Sequence, residues 1–204
     1  MDPEFGEALT ALARSAVETG FASRPPHPSD LIERLAVARP RSAALDDPGA
    51  TFVTLERGSR LRGCIGTLAA SRPLGIDVVR NARLAARDPR TPPVEPAELP
   101  ELTVTVSVLS PARPLRVRSF TTLLDRLRPG TDGLTLHGPE RRRATFLPSV
   151  WSALAEPERF VTALLRKGGW PRALWASDLR MAAWPDGLAA ERYTADSFSA
   201  RWAA

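Results

Sequence analysis

At 204 residues the chain is long enough for one large domain or two small ones with a real core, which excludes disorder as a whole-chain description. Twenty-eight Lys and Arg against 23 Asp and Glu leave a formal charge of +5, yet Lys167 is the only lysine. An Arg-, Ala- and Pro-rich surface is what a GC-rich genome writes without any nucleic acid in view, so charge alone does not point to a polyanion partner.

The N-terminus lacks the basic start and apolar middle of a secretory signal, so a cytoplasmic location is expected, and residues 1–5 read as a cloning scar outside the fold. Leu9, Leu12, Ala13, Ala16 and Val17 form one apolar stripe of a helix that Gly20 stops. After a Pro-rich connector over residues 24–29, Asp30 and Glu33 resemble a capping box opening a short helix through Leu31, Leu35 and Val37, with a loop following to about Ala50. From Thr51 the period becomes two. Phe52, Val53 and Leu55 run into the turn Arg57-Gly58-Ser59, and residues 61–68 run out again, which predicts a β-hairpin.

Leu74, Val78, Ala82 and Ala85 recur at helical spacing after Pro73, and Pro89 ends that helix near Asp88. Residues 90–100 read as a Pro-rich loop. Val104, Val106 and Val108 alternate with Thr103, Thr105 and Ser107, the cleanest half-buried strand in the chain. A short amphipathic helix follows through Phe120, Leu123, Leu124 and Leu127, then strands over residues 134–137 and from the 138–142 turn to Leu147. Residues 149–154 and 157–167 read as helices, the second with Phe160, Val161, Leu164 and Leu165 on one face and Gly168 as its stop. Residues 178–184 and the segment around Tyr193 look strand-like. Helices and strands interleave without βαβ spacing, so the expected fold class is α+β, an antiparallel-rich sheet flanked by helices. No apolar run approaches the roughly 18 residues of a spanning helix, so no membrane insertion is expected.

The chemistry concentrates in Leu61-Arg62-Gly63-Cys64-Ile65-Gly66-Thr67. Cys64 is the only cysteine, which excludes an internal disulfide, and with His27 and His137 distant in sequence it gives no metal-ligand spacing; no metal and no cofactor is expected. On a regular strand Arg62 and Cys64 share a face, where the guanidinium favours the thiolate and can clamp an anion, while Gly63 and Gly66 leave clearance for a ligand. The alternative is that Cys64 is a buried small hydrophobe and the segment a packing device.

These residues resemble the Leu-Arg-Gly-Cys-Ile-Gly signature of the AMMECR-type domain, also known as protein A of the AmmeMemoRadiSam system. The resemblance extends through Phe52-Val53-Thr54-Leu55, Ala85-Ala86-Arg87-Asp88-Pro89-Arg90, Val106-Ser107-Val108-Leu109-Ser110, Gly130 to Leu134, Thr145-Phe146-Leu147-Pro148-Ser149-Val150 and Lys167-Gly168-Gly169. The chain departs from the pattern at Thr91, where Phe is usual, at Thr103 and Thr105, where acidic residues are common, and at Gly168 and Trp170, which replace Ala and Leu. The resemblance implies a single domain over residues 6–200, built of a larger and a smaller lobe with a cleft near Arg62-Gly63-Cys64. It also implies a pathway shared with a Memo-like protein and a radical-SAM protein.

Three functional readings follow. In the first, Cys64 is a thiolate nucleophile or acceptor, Arg62 an anion clamp, and a small anionic substrate or partner peptide is bound. In the second, the chain is a non-catalytic adaptor. The third, nucleic-acid binding, is disfavoured because the aromatics of a stacking platform are missing. Asp88 and Arg90 read as an ion pair closing a helix end or, if Arg90 reaches the cleft, as part of the anion site. Lys167 reads as a helix C-terminal cation or a ligand contact. His137 reads as an exposed or satisfied side chain in preference to a base for Cys64, residues 141–143 as a solvated basic tip, and Trp151, Trp170, Trp175 and Trp184 as packing anchors.

Overall fold

Apolar spacing and strand alternation settle most of the elements in the computed structural model, which describes residues 3–38, 45–176 and 178–202. In chain order these are α1 (Pro3–Gly20), α2 (Pro28–Ala38), β1 (Pro48–Gly49), β2 (Thr51–Arg57), β3 (Arg60–Gly66), β4 (Arg72–Pro73), α3 (Leu74–Ala85) and β5 (Leu102–Leu109). There follow β6 (Arg113–Leu115), α4 (Phe120–Arg126), β7 (Gly133–His137), β8 (Arg143–Phe146), α5 (Pro157–Lys167), β9 (Ala189–Tyr193) and β10 (Ala195–Arg201). Most of the loop expected before Ala50, residues 39–44, and the Val37 side chain lie outside the described residues.

The chain forms two compact units, one of residues up to Leu109 together with those from Asp196, the other, smaller, of residues 110–195. The first holds a four-stranded sheet in the order β10-β5-β2-β3, in which β2 is antiparallel to both its neighbours. Gly58, at φ +58°, makes the tight turn from β2 to β3. Val53, Leu55, Val104 and Val106 point into a core with Leu9, Leu12 and Ala16 of α1 and Val78 and Ala82 of α3. The second unit has a sheet in the order β6-β9-β7-β8 over a core that includes Phe120, Leu134, Leu136 and Leu164. Trp151 stacks on Phe160 at 3.8 Å between ring centroids, and Phe120 meets Trp184 at 5.0 Å. The fold is α+β with antiparallel sheets and flanking helices, as expected. Among the described residues no helix is long and apolar enough to cross a membrane.

Several local readings are corrected. Pro3 to Phe5 belong to α1, and Phe5 packs against the first core, so these residues take part in the fold. The Asp30 carboxylate accepts the His27 N–H at 3.1 Å, so Asp30 is the third residue of a capping arrangement that starts one turn before the expected one. Residues 149–154 form a 3₁₀ turn (Pro148–Ser152) in place of a full helix. Residues 178–184 are no strand, because the Asp178 side chain accepts from the Arg180 N–H and caps a 3₁₀ turn (Leu179–Met181).

Candidate functional site

The residues singled out in the sequence lie on β3, an edge strand of the first sheet, and on the turn that follows α3. Leu55 pairs with Gly63 but Glu56 pairs with Leu61, so Arg62 is an extra residue, a β-bulge. The bulge breaks the alternation: Cys64 now shares its face with Leu61, and Arg62 turns away with Gly63. The expected pairing of Arg62 and Cys64 on one face is therefore corrected. Arg62 Nε and Nη2 donate to the two Glu98 carboxylate oxygens at 2.9 and 2.8 Å, and Nη2 also reaches the Pro93 carbonyl at 3.4 Å. Both side chains are largely buried. Glu98 raises the pKa of Arg62, and the Arg62 guanidinium holds the Glu98 carboxyl below its ordinary value. The guanidinium expected to clamp an anion is thus held by the protein's own carboxylate. Arg62→Lys keeps the charge and loses the two parallel bonds; a fall of about 1–2 kcal/mol in unfolding free energy is expected by urea titration.

The two glycines have occupants as well. A Cβ at Gly63 would lie 1.9 Å from the Ala85 carbonyl oxygen, so β3 is backed directly by the end of α3. At Gly66 it would lie 2.2 Å from the ring of Phe52, its cross-strand partner. The clearance expected for a ligand is filled by backbone in one case and by an aromatic ring in the other.

Cys64 is half-buried, and its Sγ accepts a hydrogen bond from the Thr54 hydroxyl at 3.3 Å. Its backbone faces the open side of the sheet, where side chains take the place of a missing strand. The Cys64 N–H donates to Asp88 Oδ2 at 2.9 Å, Arg90 Nη2 donates to the Cys64 carbonyl at 2.6 Å, and the Thr91 hydroxyl donates to the Arg62 carbonyl at 2.7 Å. Asp88 is fully buried and also accepts the Arg90 N–H, Nε and Nη2. The Arg90 guanidinium, aided by the Cys64 N–H, holds the Asp88 carboxyl well below the usual carboxylate range. Asp88 and Arg90 are thus a buried-to-surface ion pair that clips a strand edge, protecting it from further pairing. Thr91, a departure from the family pattern, is part of the clip.

Across the outward face of the sheet, Cys64 is followed by Thr54, Thr105 and Ser199, with Thr105 and Ser199 hydroxyls 2.8 Å apart. The next row runs Gly66, Phe52, Ser107 and Ser197, again with the two serines hydrogen-bonded. These two rows are uncharged and hydroxyl-rich, and the next row along the face is Leu61, Glu56 and Thr103, which brings in one carboxylate. Neither histidine is bonded to the thiol: His27 Nδ1 lies 3.2 Å from the Ser29 hydroxyl, and His137 Nε2 pairs with Glu191 at 2.9 Å in the second unit. Lys167 also belongs to the second unit, where its Nζ donates to the Thr145 carbonyl at 2.9 Å and lies 5.0 Å from the centre of the Phe146 ring.

A buried network escaped the sequence reading. Asp77, fully buried, accepts from the Thr51 N–H and hydroxyl, the Thr67 hydroxyl, the Asn81 amide and Arg72 Nη1. Asp77 and Asn81 occupy the i+3 and i+7 places of the stripe that begins at Leu74, and polar residues on a buried stripe are the signal that marked them. Among the described residues no group of three or more His, Cys, Asp or Glu converges as metal ligands would.

The two α+β units define a fold with a solved counterpart, the crystal structure of uncharacterized protein PH0010 from Pyrococcus horikoshii. The TM-score is 0.78 and the identity 28%, covering 98% of this chain and 93% of that one. The sequence model of the AMMECR1 family matches residues 10–196, and the chain belongs to that family. A protein of Methanothermobacter thermautotrophicus is 42% identical over 129 residues, 59% of this chain and 63% of the relative. A protein of Thermofilum pendens is 34% identical over 187 residues, 86% of this chain and 84% of the relative. The match to the first of these spans just under two thirds of the relative's length.

Proposed function

We propose that this AMMECR1-family chain is a non-catalytic binding protein in which residues 62–66 build the fold and Cys64 is not a nucleophile. One observation carries the reading: each residue that made the segment look reactive is engaged within the first unit. Arg62 is held by Glu98, the space beside Gly63 is filled by the α3 carbonyl and that beside Gly66 by Phe52, and the Cys64 backbone is held by Asp88 and Arg90. The cation beside Cys64, Arg90, is paired with Asp88, and the group bonded to Sγ is a threonine hydroxyl, which is no general base. The hydroxyl rows, bordered by Leu61, the Glu56 carboxylate and the exposed Arg90 guanidinium, suit a polar segment of another protein. The partners proposed are the Memo-like and radical-SAM proteins that the resemblance implies, in a cytoplasmic setting.

The test is Cys64→Ser in a mixture reconstituted with those two proteins. Partner co-purification and pathway output within about twofold of wild type are expected. A Cys64→Ser chain that folds and binds its partners while output disappears would overturn the reading, as would failure of the wild-type chain to bind either protein.

A further inference from the structure

The second unit carries a charge imbalance that the fold does not use. Arg113 on β6 and Arg192 on β9 are direct cross-strand partners, a like-charge pairing that destabilises a sheet unless something compensates it. Each lies two residues along its strand from a buried apolar side chain, Leu115 and Ala190, so both guanidiniums leave from the core-facing side and reach solvent at its rim. There they line a depression of about 290 Å³ together with Arg128, Asp132, Ser110 and Thr194.

Asp132 is the one carboxylate in that lining, and it is fully buried. Its oxygens accept the Arg128 N–H at 3.0 Å and Arg128 Nη2 at 2.6 Å, and Arg192 Nη1 stands 3.6 Å away while also reaching the Arg126 carbonyl at 3.4 Å. Asp132 therefore fixes the position of two arginines and neutralises one charge of three. Arg113 has no hydrogen-bond or ion-pair partner among the described residues, and it is exposed. The depression is left with two uncompensated positive charges, two of its three guanidiniums positioned by Asp132, and its lining includes the hydroxyl-bearing residues Ser110, Thr194 and Tyr193.

We infer that this depression binds a phosphate dianion, as inorganic phosphate or as the phosphoryl group of a small monoester. Such a group brings about two negative charges at neutral pH and three acceptor oxygens, matching the excess charge and the spread of donors from three guanidiniums. The volume admits a phosphoryl group with a small organic part. This site is independent of the proposal made for the first unit.

The experiment is calorimetric titration of the chain with inorganic phosphate, with glycerol phosphate and with a single-stranded oligonucleotide, repeated on Arg113→Gln and, as a control on a distant surface arginine, Arg159→Gln. Saturable one-to-one phosphate or monoester binding is expected, weakened about tenfold or more by Arg113→Gln and unchanged by Arg159→Gln. Arg113 holds nothing in the fold, so Arg113→Gln is expected to melt at or above the wild-type temperature without phosphate. Tighter binding of inorganic phosphate identifies the free ion as ligand, and tighter binding of the monoester identifies an organic phosphate. No saturable binding at 10 mM of either probe, on the order of the weakest affinities such contacts give, overturns the inference. Equal binding by Arg113→Gln, or binding of the oligonucleotide alone, does the same.

Discussion

Gly63→Ala is expected to destabilise the first unit by about 3 kcal/mol or more, enough to lower its unfolding midpoint sharply or to leave the chain insoluble. The new methyl group would sit 1.9 Å from the Ala85 carbonyl oxygen, with the Ala85 carbonyl carbon at 2.9 Å and the Asp88 Cβ at 3.2 Å. Two of these three atoms are backbone at the end of α3, so relief requires α3 and β3 to part, exposing the core that Val78 and Ala85 share with Val53 and Leu55. Gly66→Ala is the internal comparison. There the obstacle is the half-buried Phe52 ring, which can rotate aside, and a loss below about 1.5 kcal/mol is expected. Urea unfolding of the two variants measures both, and a Gly63→Ala chain as stable as wild type would show that α3 does not back the strand.

Asp88→Asn is expected to cost about 2–4 kcal/mol at neutral pH. The amide keeps the shape of the carboxylate but supplies one acceptor oxygen where two are used, and it sets an NH₂ group against the donors of Cys64 and Arg90. Its pH dependence follows from the direction of the shift. Asp88 is held below its unfolded value by Arg90, and Glu98 likewise by Arg62. A carboxyl with a depressed folded pKa contributes stability that is fully present above its unfolded value, near 4, and is lost as pH falls toward the folded one. Wild-type stability is therefore expected to hold from neutral pH to about 5 and to decline below about 4. The gap between wild type and Asp88→Asn is expected to narrow by about 1 kcal/mol at pH 3, because only the wild-type chain has that carboxylate to lose. A gap that does not change with pH would assign the loss to shape and not to charge.

Much of this was legible in the chain. The α1 stripe, the hairpin around Gly58, the alternation of β5 and the α5 face all follow from period and punctuation, which are local properties. The ion pair of Asp88 with Arg90 was legible for the same reason, since two residues across a proline bring the charges together. The Arg62 bulge was not, because an extra residue in a strand is defined by the register of its partner, and one residue of slippage reverses every face before it. Reading residues 61–68 as a regular strand placed Arg62 beside Cys64 and suggested a reactive pair. The glycines failed for a related reason. Sequence shows that Gly63 and Gly66 lack a side chain, while only the packed structure shows that a carbonyl and a phenyl ring fill the space. Asp77 and Asn81 could have been found, because they stand on the same helical stripe as Leu74, Val78 and Ala82.

The measurement that bears most directly on the role of residues 62–66 is amide hydrogen exchange at Cys64. On an edge strand an amide that faces outward has no strand to pair with and exchanges freely, so its protection reports the Asp88 clip alone. The Cys64 amide in the wild-type chain is expected to be protected as strongly as those of central strand β5, and Asp88→Asn is expected to abolish this protection while amides of the second unit are unaffected. Rapid exchange of the Cys64 amide in the wild-type chain would contradict this expectation.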